Sequence, residues 1–316
     1  MNPLLIATLG LAVAAALVFA VWRYRNGAQH DAADPALPRV PGYRLLGPLG
    51  VGRTGSVYLA KDDAGATRAV KLIVPDPLAA SEGAPGFPFE QLSSVVHPNV
   101  ATPVERGEAE GQAFVALTYA PGEGLDALLA KEQLSVPQAV AVARGLAAGL
   151  AALHEAGLVH GDVKAANVII SGEGGEIAPG DAKLIDFGSV TVARQLDEPG
   201  RENLKRALAG ALGEGSALFT AASTSPEQVA GAPLDGRSDV YSLGLLLYEM
   251  LAGRPAFEGR LDTIVYQQLH GEPEPLAQLN PEAPDSLVAL VDEMLMKDRE
   301  SRPFMSQIVE RLRALE

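Results

Sequence analysis

The hydrophobic positions of the chain follow a strand pattern first and a helix pattern later. Three short runs with alternating apolar residues, YRLLGPLG from Tyr43, SVYLAKD from Ser56 and TRAVKLIV from Thr67, predict β-strands. The stretch Asp62-Asp63-Ala64-Gly65 lies between the second and third runs and has the composition of a hairpin turn. A fourth run, AFVALTYAPG, predicts a strand that ends in a Pro-Gly hinge. We therefore expect an antiparallel sheet over 43–120.

Helical periodicity dominates after this point. Ser135 is suited to cap a long helix, VPQAVAVARGLAAGLAALHEAG, which is apolar on most of its faces and therefore expected to be buried. Ser238 is suited to start a second helix, DVYSLGLLLYEMLAG, which Gly253 closes. The predicted fold class is α+β with two lobes, a small antiparallel β lobe over 43–120 and a larger α-helical lobe over 121–316.

The N-terminal segment Leu4–Val21, LLIATLGLAVAAALVFAV, contains eighteen residues without a charge, about the length of a helix that spans the hydrocarbon layer of a membrane. A cleaved signal peptide is the competing interpretation. Signal peptides normally carry positive charge before their apolar run, and Met1-Asn2-Pro3 has none. Two aromatic residues and two arginines follow the run over 22–25, as in an aromatic belt and a cytoplasmic flank. An uncleaved anchor is therefore favoured.

This interpretation sets the expected organisation of the chain. Residues 1–25 form the transmembrane anchor with its flanks, and residues 26–42, rich in Ala, Asp and Pro, form a juxtamembrane linker. Residues 43–316 form one folded domain of two lobes. The arginines after the apolar run place this domain in the cytoplasm, in a single-pass protein of the inner cell membrane.

Composition and charge narrow the classes of function. Of the 316 residues, 47% are hydrophobic and 20% are charged, as in a globular protein with a sizeable core. The formal net charge of −14 argues against a nucleic-acid partner, because nucleic-acid-binding proteins use Lys and Arg to displace phosphate counterions. The chain has no cysteine, which excludes disulfides and thiolate-ligated metals, and its five histidines are not spaced as metal ligands. The oligomeric state stays open.

A glycine-rich turn, Gly50-Val51-Gly52-Arg53-Thr54-Gly55, follows the first predicted strand. A dinucleotide-binding fold would continue into a helix, but residues 56–60 keep strand character, and Lys71 arrives where an acidic ribose ligand would be needed. A Walker loop would need a lysine directly after its last glycine, where this chain has Ser56. Two interpretations remain: a hairpin whose backbone N–H groups approach phosphates, or a flexible β-turn.

Seven motifs occur in order along the domain. They are GVGRTGSV, AVK with Lys71, HGDVKAAN, the DFG of Asp186-Phe187-Gly188, the SPE of residues 225–227, SDVYSLG and KDRESRP. Their order and type resemble those of the serine/threonine protein kinases of the eukaryotic-like, bacterial type, over essentially everything from Tyr43 to the C-terminus. The resemblance implies a two-lobed kinase fold.

The resemblance also implies ATP-dependent phosphorylation of Ser and Thr hydroxyls on protein substrates, with Mg²⁺ or Mn²⁺. Asp162 would orient the substrate hydroxyl and accept its proton. Lys164, typical of Ser/Thr kinases, would reach the γ-phosphate, and Lys71 would hold the α- and β-phosphates. Asn167 and Asp186 would ligate the metal ion. The nucleotide site would be completed by Gly50, Val51, Gly52, Gly55, Val57, Ala69, Thr118, Ala120 and Ile169.

A second set of residues is implied to be structural or regulatory. Asp239 would anchor the catalytic loop from a helix start, and Glu227 with Arg302 would form a buried ion pair that is costly to break from one side. Thr220 would contact the catalytic aspartate. The full set is His160, Phe187, Thr220, Glu227, Asp239 and Arg302, together with Glu90 discussed below.

Gly161 is one departure from the family pattern. Most members carry an arginine there, which commonly binds a phosphate on the activation loop. The chain therefore resembles kinases that do not depend on phosphorylation of that loop. The string His-Gly-Asp with an Asn five residues after the Asp is also found in small-molecule phosphotransferases of the aminoglycoside and choline kinase type. Lys164 and the SPE, DVYSLG and ESRP motifs favour a protein kinase.

The glutamate that should pair with Lys71 is the other departure. Glu90 lies closer to the His-Pro-Asn turn than the family pattern requires, and prolines upstream forbid an earlier helix. We expect a short regulatory helix over 88–96 with Glu90 in its first turn, and Glu82 is the second candidate. A chain in which neither reached Lys71 would be a nucleotide-binding pseudokinase scaffold. The complete set of catalytic polar groups favours an enzyme.

Overall fold

The computed structural model describes residues 37–52, 55–73, 88–172, 176–187, 190–192 and 221–315. The predicted anchor and Thr220 lie outside these residues. The chain divides into two compact units, of which unit 1 comprises Met1–Pro75 and Val104–Tyr119 and unit 2 comprises Asp76–Pro103 and Ala120–Glu316.

Unit 1 is built on a five-stranded sheet with the order β1-β2-β3-β5-β4. In chain order its strands are β1 Tyr43–Gly52, β2 Gly55–Asp62, β3 Thr67–Ile73, β4 Pro103–Ala109 and β5 Gln112–Thr118. The pairs β1–β2, β2–β3 and β3–β5 are antiparallel. The antiparallel sheet predicted from the alternating runs is confirmed.

The predicted hairpin turn joins β2 to β3. The Gly65 N–H donates to the Asp62 carbonyl at 2.9 Å, and Asp62 Oδ1 accepts from the Ala66 N–H at 2.8 Å. Gly65 has φ 81°, a left-handed conformation that glycine adopts without the steric penalty of a Cβ atom. The aspartate therefore closes the turn with its side chain, and the glycine supplies the reversal.

Alternation along the strands gives the sheet two different faces. One face packs on the core of unit 1, while Ala69 and Lys71 on β3 are only partly buried and alternate with the buried Val70 and Leu72. Lys71 therefore projects from the face opposite this core. The core consists of Val40, Leu45, Ala60, Val70, Leu72, Ala109, Phe114 and Ala116.

Unit 2 is mainly helical, as predicted. Its helices are α1 Phe89–Ser93, α2 Leu125–Leu129, α3 Val136–Glu155, α4 Pro226–Val229, α5 Gly236–Ala252, α6 Leu261–His270, α7 Leu276–Leu279, α8 Asp285–Met294 and α9 Met305–Arg313. Five short strands form two small sheets, β6-β8-β9 and β10-β7. They are β6 Glu123–Gly124, β7 Leu158–Val159, β8 Val168–Ile170, β9 Ala182–Leu184 and β10 Thr191–Val192.

Helix α3 begins at the predicted cap. The Ser135 side chain accepts from the Gln138 N–H while the Gln138 side chain accepts from the Ser135 N–H, a capping box with Pro137 in the first turn. Within the described ranges α3 is the one helix whose length and composition would allow it to cross a membrane. Ten of its residues are buried in unit 2. Its apolar character therefore reflects its position in the core.

Helix α5 begins earlier than the sequence predicted. Its N-cap is Asp235, whose side chain accepts from the Arg237 N–H at 2.8 Å. Ser238, the predicted start, lies inside the helix, and its hydroxyl donates to Glu227 Oε1 at 2.7 Å. The prediction was wrong because a tertiary hydrogen bond uses the Ser238 side chain, which leaves the cap to the preceding aspartate. The predicted end is correct, since Gly253 is left-handed with φ 71°.

The compact units divide the chain differently from the predicted boundary at residue 120. Residues 88–103 belong to unit 2 because the chain there is bonded to β9 and the turn before it. The Asn99 side chain donates to the carbonyls of Pro179 and Ala182, each at 2.6 Å. The Leu184 N–H donates to the Asn99 carbonyl at 2.8 Å, and the Leu184 carbonyl accepts from the Ala101 N–H at 2.9 Å.

Candidate functional site

The HGDVKAAN segment, residues 160–167, follows strand β7 directly. Its first two N–H groups, those of His160 and Gly161, donate to the two carboxylate oxygens of Asp239 at 2.9 and 2.8 Å. His154 Nε2 also contacts Asp239 Oδ2, at 2.8 Å. Burial alone raises the pKa of Asp239, but the bonds from His154 and from the backbone outweigh burial and lower it. A fully buried anion in the first turn of α5 thus holds the start of the loop.

Gly161 connects three parts of unit 2. Its φ is 75°, a conformation in which a side chain would be strained. This conformation lets consecutive N–H groups turn toward Asp239. The Gly161 carbonyl accepts from Gln228 Nε2 on α4 at 2.8 Å. The SPE segment is therefore hydrogen-bonded to the loop that carries Asp162.

The Asp162 side chain lies at the centre of a polar cluster. Lys164 Nζ donates to both of its carboxylate oxygens at 2.8 Å. Asn167 Nδ2 donates to the Asp162 carbonyl at 2.8 Å and to Asp162 Oδ2 at 2.9 Å. The side chains of Lys164 and Asp162 remain 21% and 20% exposed. The carboxylate is thus held in one orientation and still accessible to a reactant.

His160 lies behind this cluster and is fully buried. Its Nδ1 accepts from the Asp162 N–H at 3.3 Å, so the neutral ring carries its proton on Nε2. Its ring makes an edge-to-face contact with Phe187 at 5.2 Å between centroids. Within the described ranges, Nε2 has no hydrogen-bond partner. This geometry suits packing and offers no route for a proton to a reactant.

Asn167 and Asp186, the predicted metal ligands, are positioned by neighbouring backbone. The Ile185 N–H donates to the Asn167 carbonyl at 2.9 Å, which ties the residue before Asp186 to Asn167. Both bonds of Asn167 Nδ2 go to Asp162, so Oδ1 is directed away from it. No group of three or more His, Cys, Asp or Glu side chains is clustered as a metal site in the described ranges. One carboxylate and one amide oxygen fit Mg²⁺, which binds few protein ligands and keeps waters and substrate phosphates.

On unit 1, the register of the sheet brings several predicted nucleotide-site residues to one face. Val57 lies opposite Lys71 across β2–β3, and Ala69 is two residues away on the same face. Leu117 lies opposite Ala69 and belongs to this face, although no motif singles it out; the alternation of β5 could have identified it. Thr118 lies on the other face by register, so only its backbone is available to this side.

Packing requires glycine at one position of the GxGxxG turn and not at another. Gly52 and Gly55 pair at the end of the β1–β2 ladder. A Cβ on Gly55 would lie 2.0 Å from the Leu72 carbonyl oxygen, so packing against β3 demands glycine there. A Cβ on Gly50 would meet nothing within 4 Å. Gly50 is thus free to let a ligand approach its backbone, and the neighbouring Val51 is 68% exposed.

The remaining predicted nucleotide residues lie in unit 2. Ala120 follows β5 in the chain. Ile169 on β8 is partly buried between the buried Val168 and Ile170 and pairs with Gly124 and Lys183. A register that exposes Ile169 on this strand leaves it available for contact with a ligand.

Glu90 lies in the first turn of α1, as predicted, with Pro88 at the N-cap. The helix ends at Ser93, which is shorter than the predicted 88–96. The Ser93 and Ser94 hydroxyls donate to the carbonyls of Glu90 and Gln91 at 3.1 and 2.6 Å. Serine hydroxyls that bond the backbone in this way compete with the helical ladder, which explains the early end.

Glu227 and Arg302 form a two-pronged buried ion pair. Arg302 Nη1 and Nη2 donate to Glu227 Oε1 and Oε2 at 2.7 and 2.9 Å. The same guanidinium donates to the carbonyls of Arg237, Lys297 and Met296. Burial by itself raises the pKa of Glu227, but Arg302 and the Ser238 hydroxyl lower it. Every polar group of the pair is therefore satisfied in its buried position.

Besides Leu117, two residues that contact the site were missed from the sequence. His154 sits in the last turn of α3 and reaches Asp239 across 85 positions, so no local spacing indicates it. Gln228 holds Gly161. The Ser-Pro-Glu-Gln string is a capping box at the start of α4, with the Gln228 side chain bonded to the Ser225 N–H at 2.9 Å. The capping box predicts a hydrogen bond to the side-chain oxygen of Gln228. It leaves the side-chain NH₂ group of Gln228 for another partner.

Comparison with known proteins agrees with this geometry. The family model for the protein kinase domain matches residues 43–312. The serine/threonine-protein kinase pkn2 of Myxococcus xanthus is 35% identical over 268 residues, which cover 83% of this chain and 31% of that protein. PknB of Mycobacterium leprae is 32% identical over 273 residues, 82% of this chain and 40% of that protein. The chain thus spans less than half the length of these relatives.

A solved structure supports the same fold. The crystal structure of the PknI kinase domain of Mycobacterium tuberculosis has a TM-score of 0.64 and covers 91% of this chain and 100% of its own. Its 23% sequence identity makes this a likeness of fold alone. The family assignment rests instead on the match of the family model across residues 43–312. The chain therefore belongs to the protein kinase domain family.

Proposed function

We propose that the chain transfers the γ-phosphoryl group of ATP to serine and threonine hydroxyls of protein substrates. The observation that carries this proposal is the Asp162 carboxylate. It is oriented by Lys164 at 2.8 Å and by Asn167 at 2.9 Å and is still one-fifth exposed. Phosphoryl transfer needs positioning and charge neutralisation more than covalent chemistry from the protein, and this cluster offers both.

Asp162 acts as the acceptor for the substrate hydroxyl. Among the described residues, its carboxylate receives N–H donors from Lys164 and Asn167, and its remaining lone pairs give it acceptor capacity for an incoming O–H. The hydroxyl is thereby turned with its oxygen lone pair toward phosphorus. Its proton passes to the carboxylate as the new P–O bond forms, while the bond from the γ-phosphorus to the β–γ bridging oxygen breaks and ADP leaves with that electron pair.

Lys164 carries positive charge to the same place. Its ammonium group has three N–H donors, of which the Asp162 carboxylate receives two. The third is available to an oxygen of the transferred phosphoryl group, whose negative charge is stabilised in the transition state. Asn167 Oδ1 and the Asp186 carboxylate would hold the divalent cation. When bound, Mg²⁺ or Mn²⁺ neutralises the charge of the β- and γ-phosphates.

In this proposal, nucleotide contacts are also assigned to residues of unit 1. Lys71 binds the α- and β-phosphates with its ammonium group. Val57, Ala69 and Leu117 present an apolar surface on the same face of the sheet, suited to a purine ring. Gly50, which neither packing nor crowding requires to be glycine, lets its backbone approach the phosphates.

Protein substrates are preferred over small molecules on one observation. Gln228 Nε2 is bonded to the Gly161 carbonyl at 2.8 Å, so α4 lies against the loop that carries Asp162. An ordered surface beside the reacting group suits an extended peptide. The alternatives are a phosphotransferase for aminoglycosides or choline and a nucleotide-binding scaffold without turnover.

The test uses the full chain in detergent with radiolabelled ATP and Mg²⁺. Label is offered to dephosphorylated casein, to an aminoglycoside and to choline, and the Asp162→Ala variant is the control. We expect label on casein serine and threonine that the control lacks. Label on a small molecule alone would establish the phosphotransferase, and ATP binding without transfer to any acceptor would establish the scaffold.

We also propose that Leu4–Val21 anchors the protein in the inner membrane with residues 43–316 in the cytoplasm. The uncharged run of eighteen residues and the arginines at 23 and 25 support this orientation. Alkaline carbonate should leave the protein in the membrane pellet, and external protease should not cut the domain in intact cells. A soluble domain outside the cytoplasm would overturn the proposal in favour of a signal peptide.

A further inference from the structure

A chain of buried hydrogen bonds runs through unit 2 from Lys297 to the backbone of residues 221–222. Lys297 Nζ donates to Tyr241 Oη at 2.8 Å, and Tyr241 Oη donates to Gln268 Oε1 at 2.7 Å. Gln268 Nε2 then donates to the carbonyls of Ala221 and Ala222 at 3.0 and 3.1 Å. Tyr241 and Gln268 are fully buried, so water does not replace these partners.

The direction of this chain is set by its first member. An ammonium group only donates, so the Tyr241 oxygen must accept from Lys297 and its single O–H must point to Gln268. The Gln268 carbonyl oxygen accepts that bond, and its NH₂ group faces the two backbone carbonyls. Rotating the amide by half a turn would set an oxygen against two carbonyl oxygens. The cation therefore fixes the direction of the Tyr241 O–H and favours the same glutamine orientation as the two backbone carbonyls.

The chain of hydrogen bonds ends at residues 221–222, in a segment that is bonded to the loop that carries Asp162. Ser223, the next residue, has its carbonyl bound by the Ser242 hydroxyl at 2.7 Å. Three consecutive carbonyls over 221–223 are thus held by side chains of α5 and α6. The same segment runs into α4, where Gln228 holds the Gly161 carbonyl beside Asp162. A displacement of residues 221–223 would therefore move the surface on which the acceptor peptide is proposed to lie.

Lys297 is placed where a cation is costly. It donates to the Gln267 carbonyl at 3.1 Å and lies over the rings of Phe257 and Tyr241 at 4.5 and 5.2 Å. Within the described ranges no carboxylate lies within ion-pair distance of its ammonium group. Burial and the nearby Arg302 lower the pKa of Lys297 to about 8. A methionine would fill this space at less cost, so packing does not account for a lysine.

We propose that Lys297 is a positioning residue for substrate binding: through Tyr241 and Gln268 it holds the carbonyls of residues 221–222, and with them the surface that receives the acceptor peptide. The inference rests on the proposed function, since it names how that site binds its protein substrate. Lys297 contacts neither reactant and acts only through this chain.

The sharpest variant is Tyr241→Phe, in the full chain. It removes the oxygen in the middle of the chain and keeps the ring that packs against Lys297 and Arg302. We expect the KM for dephosphorylated casein to rise about fivefold to tenfold, the effect of losing one charge-assisted hydrogen bond. The KM for ATP should stay within about twofold. Lys297→Met should behave alike, and Lys297→Arg, which restores a donor, should recover most of the loss.

A second measurement does not depend on activity. Hydrogen exchange of the peptide covering residues 221–229 should be faster in Tyr241→Phe and in Lys297→Met than in the parent. Combining the two substitutions should add little, because both break the same chain. Arg311→Met, which removes an exposed ion pair with Glu293 elsewhere in unit 2, is the matched control and should change neither readout.

The outcomes separate the two proposals. A parent protein that transfers no label to casein overturns the proposed function. Hydrogen exchange still tests the chain of hydrogen bonds from Lys297 to residues 221–222. A parent that is active, with unchanged casein KM and unchanged exchange in both Tyr241→Phe and Lys297→Met, overturns the role of Lys297. A parallel rise in the KM values for ATP and casein would also overturn it, because that pattern indicates a general loss of structure.

Discussion

Asp239 and Asp162 are two aspartates of unit 2 with opposite surroundings. Asp239 is fully buried, receives two backbone N–H groups and His154, and has a lowered pKa. Asp162 is one-fifth exposed, and its donors are the side chains of Lys164 and Asn167. The first carboxylate is surrounded by fixed donors that leave no place for a reactant. The second is held by side-chain donors that can also bind other groups.

The difference separates carboxylates that hold the structure from carboxylates available for chemistry. Buried, fully hydrogen-bonded groups such as Asp239 and the Glu227–Arg302 pair hold the structure together. Removing one member leaves an uncompensated buried charge. Accessible groups such as Asp162 contribute little to stability and can respond to a reactant. We therefore expect substitutions in the two classes to change different measurements, and five experiments follow.

The largest expected effect is on catalysis. Asp162→Asn should lower phosphoryl transfer to casein by about 10²–10⁴-fold, because an amide cannot accept the hydroxyl proton. Its melting temperature should stay close to that of the parent, since the side chain is partly exposed. Asp262→Asn, at an exposed position of α6, is the control for removing a carboxylate. Unchanged transfer would reject the role of Asp162.

The largest expected effect on stability is at the buried pair. Glu227→Gln should lower the free energy of unfolding by about 3–5 kcal/mol, because Arg302 is left buried without its anion. Urea titration measures this, with Glu293→Gln in the exposed pair with Arg311 as control at less than about 1 kcal/mol. Equal losses in both variants would contradict the distinction between buried and exposed pairs.

The pair also predicts a dependence on acid. The pKa of Glu227 is lower in the folded chain than its ordinary value, so the unfolded chain binds the proton first as pH falls. The stabilisation is complete above the ordinary pKa of a glutamate and is lost as pH falls through the folded value. Urea titrations at descending pH should show a steeper loss in the parent than in Glu227→Gln, which keeps the contribution of Asp239 and lacks that of Glu227.

A smaller effect is expected at alkaline pH. The pKa of Lys297 is lowered from 10.5 to about 8 in the folded chain, so between these values the unfolded chain binds more protons and stability rises with pH. Lys297→Met should abolish that rise and gain about 1–2 kcal/mol at pH 7, after allowance for solvent screening. Urea titrations at pH 7 and pH 10 measure both, and a parent without the rise would show that Lys297 is not held as described.

The smallest effect is expected where the two classes meet. Gly161 donates its N–H to Asp239 and directly precedes Asp162 in the sequence, and its φ is 75°. Gly161→Ala should cost about 1 kcal/mol through the left-handed backbone and keep both N–H bonds to Asp239. Phosphoryl transfer should change less than about threefold. Gly180→Ala, where a Cβ meets nothing within 4 Å and φ is not left-handed, is the control and should cost less.

The sequence by itself determined the elements whose cause is local. Alternation predicts β1 to β3, the Asp62–Gly65 turn contains its own hydrogen bond, and Ser135 and Gln138 cap α3 within four residues. The ordered motifs identified the family, because each carries its chemistry in consecutive positions. Such features depend on neighbours in the chain, so the sequence states them directly.

Only the tertiary structure decided where side chains with several possible partners are used. Ser238 bonds Glu227 and leaves the cap of α5 to Asp235, and Asp239 receives N–H groups from a loop 79 positions away. The chain from Lys297 to Gln268 and residues 221–222 likewise joins segments that no spacing connects. A donor or acceptor is the same in every sequence context, and its partner depends on which segments packing brings within about 3 Å.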